Sequence, residues 1–134
     1  MVREYSSFSE LVKSIDESIN ALKQQLADFL RRLEDARARA EREKKIKELL
    51  KKLGSGEEST RSKIVDLKEV KLFINPDAEQ ESKLLEEVID RINKHLQALQ
   101  TIRKSLEPFI DLDIETKITV IYREEIPTSI IIRL

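Results

Sequence analysis

FSELVKSIDESINALKQQLADFLRRLEDARARA, residues 8–40, is the stretch that decides the fold. Its apolar residues advance in steps of four and three: Phe8, Val12, Ile15, Ile19, Leu22, Leu26, Phe29, Leu33, Ala36 and Ala40. Steps of that size keep every apolar side chain on one stripe of an α-helix. Ser7 and Glu10 form a capping-box pattern at the start, each placed to satisfy the other's free amide. Lys51 and Lys52 before Gly54 suit the negative end of a helix and its stop. The predicted helix covers residues 7–53 and extends roughly 70 Å, longer than a compact body of this chain length covers.

The same heptads argue about the helix's partner. In a parallel twin, Arg32 would face Arg37 and Arg39 would face Lys44, and like charges there oppose pairing. The stripe also fades, since Glu43 and Lys47 take the next seam positions while Ile46, Leu49, Leu50 and Leu53 return displaced around the helix. Two arrangements remain: an antiparallel partner, or a solvated segment whose far end meets another surface. Residues 76–107 supply the antiparallel partner. Asn75 is read as N-cap, Pro76 as first helical residue and Pro108 as the stop. Its stripe is Leu85, Val88, Ile92, His95, Leu99, Ile102 and Leu106, widened by Leu84, Ile89, Leu96 and Ile110.

Between the helices, residues 54–63 hold both glycines of the chain and read as a flexible linker. Residues 64–74 follow as one half-buried strand, with Val70, Leu72 and Ile74 on one face and Phe73 on the other. Residues 114–134 form a β-hairpin, with Ile114, Thr116, Ile118, Val120 and Tyr122 on one face and EEIPT as the turn region. Ile130, Ile131 and Ile132 put apolar side chains on both faces of its last strand, which is then covered twice or pairs with another chain. The expected architecture is a single α+β domain of order α–β–α–β–β. An antiparallel helical pair carries a small three-stranded sheet.

Composition narrows the function classes. The chain has no cysteine, which removes disulfides, thiolate metal sites and a cysteine nucleophile. No apolar run approaches the ~20 residues of a membrane span, and MVREYSSFSE is unlike a signal peptide, so a cytoplasmic location is expected. With two glycines, both in GSGEES, no phosphate-cradling loop such as GxGxxG or GxxxxGK is present. Lys, Glu and Arg dominate the charge, a pattern common in thermophile proteins.

Candidate residues follow from these limits. His95 is the one histidine and lies on the apolar stripe between Ile92 and Leu99. A core or interface imidazole bonded to a polar neighbour is expected, ahead of a metal ligand or a pH switch across a dimer seam. Asp111, Asp113 and Glu115 offer hard-cation oxygens without a full coordination set, so neither metal nor cofactor is expected. Residues 31–63 hold twelve Lys or Arg against seven Asp or Glu, a local +5 in a chain of net charge −1. That makes Arg31, Arg32, Arg37, Arg39, Arg42, Lys44 and Lys45 a candidate nucleic-acid edge, although acids interrupt it and aromatic residues for base stacking are few.

KQQLADFL, residues 23–30, resembles the short clamp-binding box of replication and repair proteins. Leu26 and Phe29 match its aliphatic and aromatic positions; Lys23 replaces its glutamine and Leu30 its second aromatic. The same side chains are seam positions of the first helix.

The functional expectation is a non-enzymatic oligomeric binding or scaffold protein that assembles with itself, as dimer or tetramer, and holds a further protein partner. Its expected interface is Ile15, Ile19, Leu22, Leu26, Phe29, Leu33, Leu85, Val88, Ile92, His95, Leu99, Ile130 and Ile132. Nucleic-acid binding by the basic edge is the alternative, and a metal-dependent carboxylate enzyme a distant third.

Overall fold

The structure is a computed structural model that describes residues 1–52, 63–74, 77–111 and 116–133. In chain order its elements are β1 (Val2–Tyr5), α1 (Phe8–Lys52), β2 (Lys63–Asp66), β3 (Lys71–Ile74), α2 (Ala78–Ile110), β4 (Ile118–Arg123) and β5 (Ile126–Ile132). The fold is α+β: two long helices packed together, with a small three-stranded antiparallel sheet. From α1 onward the helices and strands succeed one another in the expected order. The additions are a strand ahead of α1 and a second strand in residues 63–74.

Both helices begin with a side-chain cap. The Glu10 amide donates to Ser7 Oγ at 3.1 Å, as the capping box requires. The return half is displaced by one residue, because the Glu10 carboxylate accepts from the amide and hydroxyl of Ser6. Those two donors hold the Glu10 carboxyl below its ordinary pKa, the Ser6 hydroxyl contributing most. For α2 the cap is Asp77: its Oδ1 accepts from the Gln80 amide at 2.7 Å, and Gln80 Oε1 accepts from the Asp77 amide at 3.2 Å. This box corrects the N-terminus expected at Asn75 and Pro76, which lie outside the described residues.

The C-terminus of α2 also differs from expectation. The helix runs through Pro108 to Ile110. A proline so near the helix end removes one ladder bond, and tertiary contacts outweigh that loss. Phe109 stacks on Phe8 with ring centroids 5.4 Å apart, and Ile110 packs on the core.

The chain divides into two compact units, residues 1–27 with 90–134 and residues 28–89. In the first unit the sheet order is β1–β4–β5, antiparallel throughout. Ile118 and Val120 of β4 are fully buried and meet Leu11 of α1 and Leu99 of α2, each also without solvent contact. Burial of such a side chain stabilises by about 1.5–3 kcal/mol before conformational entropy is subtracted. Phe8, Val12, Ile15, Ile19 and Leu106 complete this core, and Arg103 Nε donates to Asp16 Oδ1 at 3.0 Å between the helices. The pairings of Phe8 with Phe109 and Asp16 with Arg103 run in opposite chain directions, so the helices are antiparallel here.

In the second unit the helices are again antiparallel. Arg37 binds Glu86 at 2.9 Å, Arg39 binds Glu81 at 3.0 Å, and Glu43 accepts from the Ala78 amide at 3.3 Å. Ala36 and Ala78 are buried, as are Leu33 and Ile89. Small residues let two backbones approach closely, and buried Ser82 satisfies its hydroxyl by donating to the Ala78 carbonyl at 2.8 Å. Residues 41–49 of α1 are all exposed. Within α1 an antiparallel contact through Ala36 thus gives way to a solvated stretch over residues 41–49.

Residues 64–74, expected as one strand, form a hairpin. The pairs are Lys63↔Ile74, Ile64↔Phe73, Val65↔Leu72 and Asp66↔Lys71. Reciprocal bonds of 2.9 and 3.1 Å between Leu67 and Val70 close it around Lys68 and Glu69. The residues expected as linker lie outside the described residues except Lys63, as do Ile114 and the stretch before Thr116.

The turn of the β4–β5 hairpin is narrower than EEIPT: Arg123 pairs with Ile126, leaving Glu124 and Glu125 as the loop. Their φ values of 52° and 65° are the left-handed pair that a two-residue hairpin turn demands, a conformation natural to Asn-Gly. Replacing Glu124→Asn together with Glu125→Gly is expected to raise unfolding stability by about 1 kcal/mol, read by urea titration. An unchanged or lower midpoint would mean that the glutamates hold this turn by some other interaction.

Candidate interaction surfaces

The helical residues first expected at an oligomer interface are largely enclosed by the chain itself. Ile15, Ile19, Leu33, Ile92 and Leu99 are buried, and Leu22, Leu26, Phe29, Leu85, Val88 and His95 are half-buried. These side chains have already left water in the single chain, so a second copy gains little by covering them. Ile130 is half-buried beside the core, whereas Ile132 remains 40% exposed. Apolar surface that is still available lies on the β-elements, at Leu30, Ile46 and Leu49 of α1 and at Phe109 of α2.

The β2–β3 hairpin carries the most exposed of it. Cross-strand partners share a face, so Val65 with Leu72 and Leu67 with Val70 form one side. Leu67 is 51% exposed, Val70 65% and Leu72 46%, while Val65 is half-buried. The opposite side carries Ile64, Phe73, Asp66 and Lys71, and there Phe73 is half-buried. Val70 and Leu72 face solvent, while on the opposite side Phe73 is half-buried and its cross-strand partner Ile64 is 51% exposed. A two-stranded ribbon is marginal in water unless one face is packed.

The outer face of the three-stranded sheet holds a smaller patch. Val2 pairs directly with Ile121, and Ile131 lies diagonally from Ile121 beside Thr119. All three are exposed.

The inner edge of the sheet holds a hydroxyl cluster absent from the sequence reading. Tyr5 and Tyr122 oxygens are 2.6 Å apart, and Tyr5 is also 3.3 Å from Ser14 Oγ. Arg3 lies over the Tyr122 ring, 5.7 Å from its centroid. Burial raises the Tyr5 pKa, but the bonds to Ser14 and Tyr122 and the nearby Arg3 outweigh it and leave it below the ordinary value. Tyr122 is pushed up, by burial first and then by its bond and charge coupling to Tyr5. Once Tyr5 ionises, Tyr122 keeps its proton and donates to it; while both are protonated either hydroxyl can donate. Only pairing of β1 with β4 brings these residues together, and β1 gave no strand signal.

The His95 Nε2 is buried and has no hydrogen-bond partner among the described residues. The polar neighbour expected for this nitrogen is missing there. Of the suggested oxygen ligands, Asp111 is exposed, and Asp113 and Glu115 lie outside the described residues. No group of three potential metal ligands occurs among the described residues.

The basic edge is partly neutralised. Arg37 and Arg39 bind acids of α2, and Arg32 binds Asp28 at 3.0 Å while lying over Phe29. Arg31, Arg42, Lys44 and Lys45 are exposed and form no ion pair among the described residues. Leu26 and Phe29 of KQQLADFL are half-buried within α1, in keeping with seam positions. No described helix is long and apolar enough to cross a membrane. Comparison with protein-family models, curated proteins and solved structures finds no match.

Two outcomes test this description. Replacing His95→Leu removes a buried nitrogen that lacks a partner and is expected to stabilise the fold by about 1 kcal/mol in thermal or urea unfolding. A loss of stability would show that Nε2 is satisfied after all.

The second concerns the two tyrosines, which titrate cleanly in absorbance because tryptophan is absent. Two separated steps are expected, one below and one above the ordinary tyrosine value, with Tyr5→Phe removing the lower. The raised Tyr122 contributes stability that is full below pH about 10 and lost as pH rises through its folded pKa. Tyr5, being lowered, loses its contribution in the opposite direction, as pH falls through its folded value. A single unresolved step would contradict the Tyr5–Tyr122 bond.

Proposed function

We propose that this chain is a non-enzymatic binding and scaffold protein, which assembles with itself and holds a further protein on its β2–β3 hairpin. The observation carrying this reading is the apolar face made by Val65, Leu72, Leu67 and Val70 on a two-stranded ribbon. Three of its four side chains are about half or more in water. A contiguous exposed apolar face marks an interaction surface more often than a scattering of single residues does. Lys68 and Glu69 at the turn border it with one charge of each sign, the polar surround usual for protein interfaces. The helical pair then acts as a stiff support, its own apolar stripe being used internally.

Nucleic-acid binding is the second reading, favoured by Arg31, Arg42, Lys44 and Lys45 on α1, which are exposed and form no ion pair among the described residues. Engagement of Arg32, Arg37 and Arg39 by acids weakens it, since those cations carry their own counter-charges.

One experiment addresses both. The wild-type chain and the variant Leu67→Lys/Val70→Lys are compared in pull-downs from native lysate, with nuclease-treated and mock arms. Capture of a defined protein that survives nuclease and is lost in the variant is the expected result, with circular dichroism unchanged. Retention by the variant would remove the hairpin as the docking face. Capture lost to nuclease, with salt-sensitive oligonucleotide binding abolished by Arg42→Glu/Lys45→Glu, would favour the second reading instead.

A further inference from the structure

The β5 strand is an edge of its sheet, and its hydrogen-bonding direction follows from the register. Met1 and Tyr122 exchange two bonds, with Tyr122 N donating to Met1 O at 2.8 Å and Met1 N to Tyr122 O at 3.3 Å. Antiparallel ladders alternate, so Val120 and Ile118 also direct their amide and carbonyl groups towards β1. Thr119 and Ile121 therefore bond to their partners on β5, Ile131 and Ser129. Ile130 and Ile132 are left with both backbone groups pointing away from the sheet. No described strand pairs with that edge.

The two edges of this sheet are built differently. The β1 edge is four residues long and carries Arg3 and Glu4, the latter ion-paired to Lys117 at 3.3 Å. Charges and shortness are common guards against pairing with another chain. The β5 edge runs for seven residues, IPTSIII, with no charge. Pro127 and the bulge beside it guard its beginning. From Ser129 to Ile132 no charge, proline or bulge guards it, and no described strand covers it.

We propose that Ser129–Arg133 of β5 pairs antiparallel with the same segment of a second copy, about a two-fold axis at Ile131, joining two three-stranded sheets into one. In this register Ile130 faces the partner copy's Ile132, and each such pair exchanges two backbone bonds, since both residues point their groups outward. Ile131 meets its own counterpart as the closely spaced non-hydrogen-bonded pair. Every central contact is isoleucine on isoleucine.

The arrangement accounts for Ile132, which shares the core-side parity of Ile118, its fully buried cross-strand partner, yet is 40% exposed. Ile130 of the second copy covers it. The outer patch of Val2, Ile121 and Ile131 becomes continuous with that of the second copy. The charges also agree: each Arg133 faces a neutral Ser129, and the two arginines stand roughly 13 Å apart along the strands, beyond the screening length of physiological salt. Pairing a strand with itself in this way is an isologous, closed contact, so it gives a dimer rather than a fibre.

The proposal deepens the self-assembly part of the function above and rests on it. Because the chain has no cysteine, one substitution makes any disulfide intermolecular. Ile131→Cys is expected to form a covalent dimer under mild oxidation, the two Cα atoms lying within disulfide reach. Ser129→Cys is expected to fail, because its two copies lie roughly 13 Å apart in this register. Ile132→Pro removes an outward N–H that the chain's own ladder does not use; by sedimentation it is expected to weaken dimerisation about tenfold or more, with secondary structure intact.

A wild-type chain that stays monomeric to high micromolar concentration overturns both self-assembly and this surface. A dimer that Ile132→Pro leaves intact, or that Ile131→Cys does not trap, keeps self-assembly and overturns this surface alone. Equal trapping of Ser129→Cys overturns the register and with it the proposal.

Discussion

The structure depends on the antiparallel meeting of two apolar stripes that belong to the same chain. Each helix carries an apolar stripe that is costly to leave in water, and each supplies the surface the other must bury. The direction is enforced electrostatically as well as by chain connection. Arg37 and Arg39 of α1 meet Glu86 and Glu81 of α2. A parallel copy of α1 would instead bring those arginines against arginine and lysine. Exposed ion pairs add little stability, so their value here lies in excluding the wrong neighbour.

The β-elements of each unit complement this seam unequally. In the first unit, Ile118 and Val120 close the core between Leu11 and Leu99, and the sheet is an integral part of the packing. In the second, the hairpin turns Val70, Leu72 and Leu67 to solvent. The first sheet thus buries its inner apolar face, while the β2–β3 ribbon leaves the larger apolar face open. That contrast between two small β-structures in one chain is the physical basis for assigning binding to the second.

The helices were legible because their signal is repeated many times over. Ten residues from Phe8 to Ala40 keep one period, and a single misread position does not shift the stripe. Leu11, fully buried, fell outside the seam because a sheet covers that flank as well, and heptad counting sees only the helix partner. The strands were harder to read for a local reason. Both hairpins turn on charged pairs, Lys68-Glu69 and Glu124-Glu125, without the Gly or Asn that ordinarily marks a turn. KIVD and KLFI therefore read as parts of one strand. VREY, with two charges in four residues, becomes a strand only because β4 offers it an edge. The candidate site suffered most, since the exposure of a β face is decided by what packs on it, which periodicity does not contain. The Tyr5–Tyr122 contact joins residues 117 apart and leaves no trace in spacing.

The distance in sequence between β1 and β4 has a consequence for the order of folding. Tyr5 pairs with Ile118 and Val2 with Ile121, so β1 has no edge to join until more than a hundred further residues have been made. At ordinary synthesis rates that interval is on the order of ten seconds. The helices form locally in microseconds. Phe8, Leu11 and Val12 therefore wait through that interval without the sheet that finally covers them.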